Sequence, residues 1–275
     1  MLSAHSIFAA VRALAHSVEA LALPAACLGC ERQLPSEHVG EGCCPLCRQR
    51  MRRIAPPICT RCGQPLDRWI LTGAGQGGRQ MRGGRAAGRG EPAHQGVHCG
   101  FCREWPASLA WTRSAVWLEP GPARRLVHAL KYGPWRVAAR PMARILAAEI
   151  APRLRGLDGL VPVPLGRVRQ RERGHNQAAL LADALAKATD LPVIDGALRR
   201  VRETRTQTRL RPRDRWTNVR DAFAPAGPAL AGMHVALVDD VLTTGATLGA
   251  AADALTRLAP ATIGAVTFAR ALVPG

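Results

Sequence analysis

Cysteine is absent after Cys102, and lysine occurs only at Lys131 and Lys187. Aromatic residues make up 4% of the 275 residues, so a packed core has to come mainly from Ala, Val and Leu. No stretch approaches the ~20 apolar residues of a membrane-spanning helix, which excludes a helical membrane span. Acids are scarce as well: 20 Asp and Glu stand against 38 Lys and Arg, giving a formal net charge of +18. A field of that sign attracts polyanions, either nucleic acid or small ligands carrying several phosphates. Hydrophobic residues at 47% exclude a disordered chain. The length leaves room for one large domain and a small one.

The cysteines crowd the first 102 residues. Cys27–Cys30, Cys44–Cys47, Cys59–Cys62 and Cys99–Cys102 each have two residues between them. That spacing lets a tight turn aim both thiolates at one ion, and two such knuckles close a tetrahedral four-sulfur shell around zinc. The pattern indicates metal binding in a reducing compartment, not a disulfide framework. The simplest pairing joins the first two knuckles at one zinc and the last two at another, with interleaved ligation still open. Closed shells leave no position for substrate, so both zinc ions are expected to be structural. Cys43 is left over and is an alternative to Cys44, while His38, His94 and His98 are near enough in sequence to substitute as ligands.

Residues 1–26 carry Ile7, Val11, Leu14, Val18 and Leu21 on one helical face, interrupted for a signal peptide by Arg12, His16 and Glu19. An amphipathic helix and a cytoplasmic location are expected. Residues 27–107 form the zinc ribbon region, with a Gly- and Arg-rich insert at 68–96 that has too little apolar side chain to fold. From residue 108 to 275 the pattern alternates strands and helices. Strands are expected at Ala110–Leu118, Gly159–Pro164, within Val193–Val201, at Val235–Val238 and at Ile263–Ala269. Helices are expected at Pro122–Lys131, Val137–Pro152, Asn176–Ala188 and Thr247–Leu258. Alternation of this kind predicts an α/β fold with a central parallel sheet covered on both faces. The ribbon region is expected to lose its fold on chelation while residues 108–275 keep theirs, because the ions supply most of a small ribbon's folding energy.

The run Val235–Val238 resembles a central parallel strand. Asp239 and Asp240 follow it, then Thr243, Thr244, Gly245, Ala246 and Thr247 lead into a helix. A small-residue turn from a strand's carboxyl end into a helix presents backbone N–H groups and hydroxyls to an anion. Gly245 permits close approach of the backbone to a phosphate. Both carboxylates are expected in the exposed turn after the strand, where they can hold ribose hydroxyls directly or through Mg²⁺. Pro164–Asn176 is expected to be a strand-to-helix loop loaded with Arg167, Arg169, Arg171 and Arg173. The segment 199–220 carries nine arginines against Glu203 and Asp214. It suits either closure over a phosphorylated ligand or contact with a nucleic-acid backbone. Trp216 either stacks a base or lies buried.

The segment Val238–Thr247 closely resembles the phosphoribosyl pyrophosphate (PRPP) motif of type I phosphoribosyltransferases. The resemblance implies that Asp239 and Asp240 are the catalytic acids facing the ribose hydroxyls and that Thr243, Thr244, Gly245, Ala246 and Thr247 wrap the 5-phosphate. It also implies that Arg171, Arg173 and Gly174 hold pyrophosphate against the N-terminus of the following helix. Val161–Pro164, Arg171–Gln177, Gln207, Arg215, Asn218–Val219, Ala222–Phe223 and Leu130–Tyr132 narrow the match. Together they are similar to the ComF/GntX family, which joins a double zinc ribbon to such a domain. That resemblance implies Mg²⁺ with PRPP and a role in DNA uptake and competence or in nucleotide metabolism. Implied partners are single-stranded DNA and other DNA-uptake proteins, with a homodimer left open. Purine-salvage relatives often carry an acid at the place of Thr243, so the threonine speaks against that role. Three readings follow: a transferase releasing pyrophosphate from PRPP, a non-catalytic single-stranded-DNA-binding accessory protein with a degenerate transferase domain, and a nucleic-acid clamp centred on the ribbons.

Overall fold

A computed structural model of the chain describes residues 26–35, 38, 40–66, 99–133, 136–203 and 212–272. The expected N-terminal helix, the insert 68–96, His94, His98 and Gln207 lie outside these, as do the side chains of residues 212–215.

The ribbon region contributes a short helix α1 (Pro45–Arg50). Then follow β1 (Trp111–Trp117), α2 (Pro122–Tyr132), α3 (Ala139–Leu154), β2 (Gly159–Pro162), α4 (Arg167–Arg173), α5 (Gln177–Thr189), β3 (Leu198–Arg200), α6 (Pro212–Val219), β4 (Phe223–Pro225), β5 (His234–Leu242), α7 (Ala246–Leu255) and β6 (Thr262–Arg270). Among the described residues the main sheet has the order β1-β6-β5-β2, with every pair parallel. β3 and β4 form a separate antiparallel pair.

The pleat sends alternate residues of β5 to opposite faces. Ala236 and Val238 join a cluster with Leu126, Leu130, Met142, Leu146, Leu181 and Leu185, which covers one face with α2, α3 and α5. Val235 and Leu237 join Leu248, Ala251, Ala252 and Leu255 of α7 on the other. A strand buried on both sides has no polar alternation, which is why the run Val235–Val238 reads as continuous apolar sequence.

Three departures from the expected elements have physical causes. β5 runs on past Val238, because Val241 and Leu242 continue the ladder with Ala269 and Arg270 of β6. Asp239 and Asp240 are therefore strand residues, not turn residues. Arg167–Arg173 is a helix although none of its residues is buried, so it carries no apolar periodicity to read. Glu203 accepts from Val168 N–H at its start (3.2 Å). Gly174, at φ +72°, closes its end in the left-handed conformation. Finally α6 and β4 emerge from the arginine-rich 199–220 region and just beyond it, packing through Trp216, Ala222 and Phe223 on the α7 face.

The cysteine-rich region and the α/β region are not separated by packing. Cys27, Cys43, Cys47 and Met51 sit in the same buried cluster as α2, α3 and α5. Cys59, Cys62, Leu66, Cys102 and Trp105 sit in the cluster around α7. Backbone bonds cross as well, from Trp117 N to Arg52 O (2.9 Å) and from Thr112 N to Arg61 O (2.7 Å). The change at residue 107 is one of composition, while both hydrophobic clusters span it.

Candidate functional site

Two four-cysteine clusters assemble as the simplest spacing argument expects. Cys27, Cys30, Cys44 and Cys47 form one and Cys59, Cys62, Cys99 and Cys102 the other, with all four sulfurs of each within 4.8 Å of one another. Zinc with Zn–S bonds of about 2.3 Å sets tetrahedral sulfurs about 3.8 Å apart. Cys30 and Cys44 sulfurs lie 4.0 Å apart and those of Cys59 and Cys102 3.8 Å apart, so the residues fit the ion. Backbone N–H groups also donate to the sulfurs: Gly29 N and Cys44 N reach Cys27 Sγ at 3.3 and 3.2 Å. Cys62 N and Cys99 N each reach Cys59 Sγ at 3.5 Å. Such donors favour thiolate over thiol. Cys43 is outside the cluster, fully buried, its thiol directed at Cys44 O. Burial first, then the charges of Cys27 and Cys44, push it up to about 12, so it stays a thiol. His38 is in neither cluster.

The second site lies at the carboxyl end of β5. Gly245 takes φ +85° and caps α7, a conformation open to glycine at little cost. Thr244 is buried and its Oγ1 accepts from Ala246 N–H at 3.4 Å. The turn Thr243–Thr247 thus ends on the N-terminus of a ten-residue helix, where the backbone favours an anion.

Beside the turn sits the acid pair, which departs from expectation. Asp240 is 4% exposed, not in an exposed turn, and its Oδ2 lies 2.6 Å from Lys131 Nζ at the end of α2. Asp239 Oδ1 accepts from Asp240 N–H at 2.8 Å. Burial first, then the charge and hydrogen bonding of Asp240, push Asp239 up to about 8, against the pull of Lys131. Arg200 on β3 lies close enough to feel both Asp239 and Arg169. Burial, then Arg169, hold its guanidinium below the usual range.

The arginines of Arg167–Arg173 are sorted by the helix they turn out to form. Arg169 and Arg173, four apart, face one side and line a cleft of about 300 Å³ with Lys131, Tyr132 and Glu172. Arg171 is exposed and is not among the lining residues, so only Arg173 of the expected pair reaches the cleft. Arg173 also lies over the Tyr132 ring at 5.0 Å. One N–H group at the start of α5 is capped within the chain. Asn176 caps α5 by accepting from Ala178 N–H at 3.1 Å, and Gly174 closes α4. His175 Nε2 meets Leu130 O at 2.7 Å and ties the segment to α2. Trp216 is half-buried, its ring against Gly249 of α7. The pairing of Lys131 with Asp240, and the approach of Arg200, join residues far apart in sequence and leave no local signal.

Comparison with known proteins supports both halves. The double zinc ribbon domain family matches residues 18–77, and the phosphoribosyl transferase domain family matches residues 137–273. The ribbon match ends before Cys99 and Cys102, which the fold nevertheless brings to Cys59 and Cys62. The chain is 32% identical over 248 residues to the DNA utilization protein YhgH of Salmonella typhimurium, covering 88% of this chain and 96% of that protein. It is 30% identical over 243 residues to competence protein F of Haemophilus influenzae, covering 84% and 91%. It is 38% identical over 96 residues to competence protein ComFC of Bacillus subtilis, covering 35% and 37%.

Proposed function

Since the chain belongs to the ComF/GntX family, with a double zinc ribbon and a phosphoribosyltransferase domain, we propose that it binds PRPP at the β5–α7 turn and acts in the handling of incoming DNA. The observation that carries this reading is the junction of a left-handed glycine turn, a helix N-terminus and an acid pair, Asp240 buried and Asp239 half-buried, at one strand end. N–H groups and hydroxyls of Thr243–Thr247 hold the 5-phosphate. Asp239 and Asp240 accept hydrogen bonds from the ribose hydroxyls, and Lys131 keeps the two acids from repelling each other apart. Arg169, Arg173 and Arg200 neutralise pyrophosphate. Carboxylate oxygens suit a hard cation, so Mg²⁺ fits beside Asp239 and would add charge neutralisation on the phosphates. Zinc is held by Cys27, Cys30, Cys44 and Cys47, and by Cys59, Cys62, Cys99 and Cys102.

If an acceptor is present, the reaction is displacement of pyrophosphate at the anomeric carbon, with the protein orienting the groups and neutralising the leaving group. Isothermal titration with Mg²⁺ and PRPP tests the site. At pH 8.5, above the Asp239 value of about 8, wild type is expected to bind, and Asp239→Asn to bind at least ~10-fold more weakly, since a charged hydrogen bond contributes roughly 1.5–3 kcal/mol. Equal affinities would mean the pair has been misassigned.

The second reading is a non-catalytic protein that binds single-stranded DNA. It draws on the arginines around the cleft and on the names of the competence relatives. A product assay with PRPP and a panel of amine and base acceptors separates the two.

A further inference from the structure

The segment after the second cysteine centre runs along the phosphate turn and the helix behind it. Trp105 Nε1 donates to Thr244 O at 2.9 Å, and Trp105 is 5% exposed. A Cβ on Gly245 would lie 2.5 Å from the Trp105 ring, so the indole fills the space that this glycine leaves. One turn on, a Cβ on Gly249 would meet Pro106 at 3.0 Å, and one further turn on, Asp253 Oδ1 accepts from Ser108 Oγ at 2.6 Å. Residues 245, 249 and 253 recur every four and share one face of α7, so the segment 105–108 lies along that face.

Trp105 is itself held from the ribbon side. Cys102 precedes it by three residues and accounts for one sulfur of the second cluster. Phe101 meets its ring edge-on at 5.7 Å between centroids, and Arg270 of β6 lies over Phe101 at 4.6 Å while donating to Cys62 O at 2.7 Å. The Arg61 guanidinium donates to the carbonyls of Cys102 (3.0 Å), Trp105 (3.2 Å) and Pro106 (2.7 Å). The indole therefore has little freedom to leave the turn.

We propose that Trp105, fixed by the second cysteine centre, is a positioning residue that locks the Thr243–Thr247 turn in its anion-receiving shape, so the ribbon sets the affinity of the transferase site. This rests on the reading of that turn as the phosphate site. A hydrogen bond to a single carbonyl holds Thr244's peptide in one orientation, and that orientation decides where the next N–H groups point.

Three proteins decide it: wild type, Trp105→Phe, which keeps a ring and loses the N–H donor, and Leu34→Ala, a cavity in the ribbon region that opens in the other buried cluster, away from Trp105. Two readouts are taken, amide hydrogen exchange of residues 243–247 and Mg²⁺–PRPP titration. Trp105→Phe is expected to speed exchange in the turn and to weaken PRPP between about twofold and about tenfold, the range of one net hydrogen bond. Leu34→Ala, though it lowers the melting temperature more, should leave both unchanged. Unchanged exchange in Trp105→Phe, or equal changes in Leu34→Ala, would overturn the proposal. If no protein binds PRPP, the functional reading fails, and the exchange comparison still decides the role of Trp105.

Discussion

Replacing Lys131 by methionine removes the ammonium 2.6 Å from Asp240 while keeping the length of the side chain. The Asp240 side chain is 5% exposed, so the carboxylate cannot turn to water in compensation. Stripping one partner from a buried pair costs about 3–5 kcal/mol, and the low end applies because Lys131 is itself 23% exposed. For a chain of this size about 3 kcal/mol corresponds to a fall of roughly 6–12 °C in melting temperature. The loss should depend on pH. Asp239 sits at about 8 in the folded protein against an ordinary value of 3.8, so folding takes up a proton between those values. Stability therefore falls as pH rises from about 4 to about 8 and levels off above. Lys131 pulls Asp239 down, so without it the decline should keep its slope and extend to higher pH. Melting curves of wild type and Lys131→Met at pH 5, 7 and 8.5 measure this. At pH 5 the protonated Asp239 relieves the pair and the difference should shrink. A loss as large at pH 5 as at pH 8.5, or none at pH 8.5, would refute the assignment of Lys131 as the counter-charge.

Gly245→Ala places a methyl where the Trp105 ring stands and forces φ +85° on an L-residue, so it should cost at least about 1–2 kcal/mol and abolish PRPP binding; unchanged affinity in titration would contradict the turn geometry. Metal analysis of protein purified under reducing conditions should find two zinc ions per chain, and chelation should loosen β1 and α7 along with the ribbons, because both hydrophobic clusters are shared; hydrogen exchange that changes in the ribbons alone would contradict this. Single-stranded DNA should bind with an affinity that falls ~10-fold or more between ~50 and ~200 mM salt if several phosphates are contacted, and Mg²⁺–PRPP should compete if both use Arg169, Arg173 and Arg200. Fluorescence anisotropy with a labelled oligonucleotide, repeated after deletion of residues 68–96, reads both, and salt-independent binding would remove nucleic acid from the account.

Features whose causes are local could be read from the residues alone. Two residues between cysteines bring two thiolates to one side of a turn, so the knuckles were legible residue by residue. An apolar run followed by acids, small residues and a helix specifies a strand, a turn and a helix N-terminus within about a dozen positions, and Gly245 shows its left-handed conformation by being glycine. Tertiary structure alone decided which knuckles meet, because the pairing of Cys62 with Cys99 depends on what lies between them in space, not on spacing. It also decided that Asp240 is a buried strand residue facing Lys131, since pairing with β6 extends β5 and α2 arrives from elsewhere in the chain. α4 was illegible because a helix with no buried residue has no apolar period to detect, yet forming it is what separates Arg169 and Arg173 from Arg171. Trp105 carried no motif at all. Its contact with Thr244 spans 139 positions, and only the packing of the ribbon on α7 brings the indole to the turn.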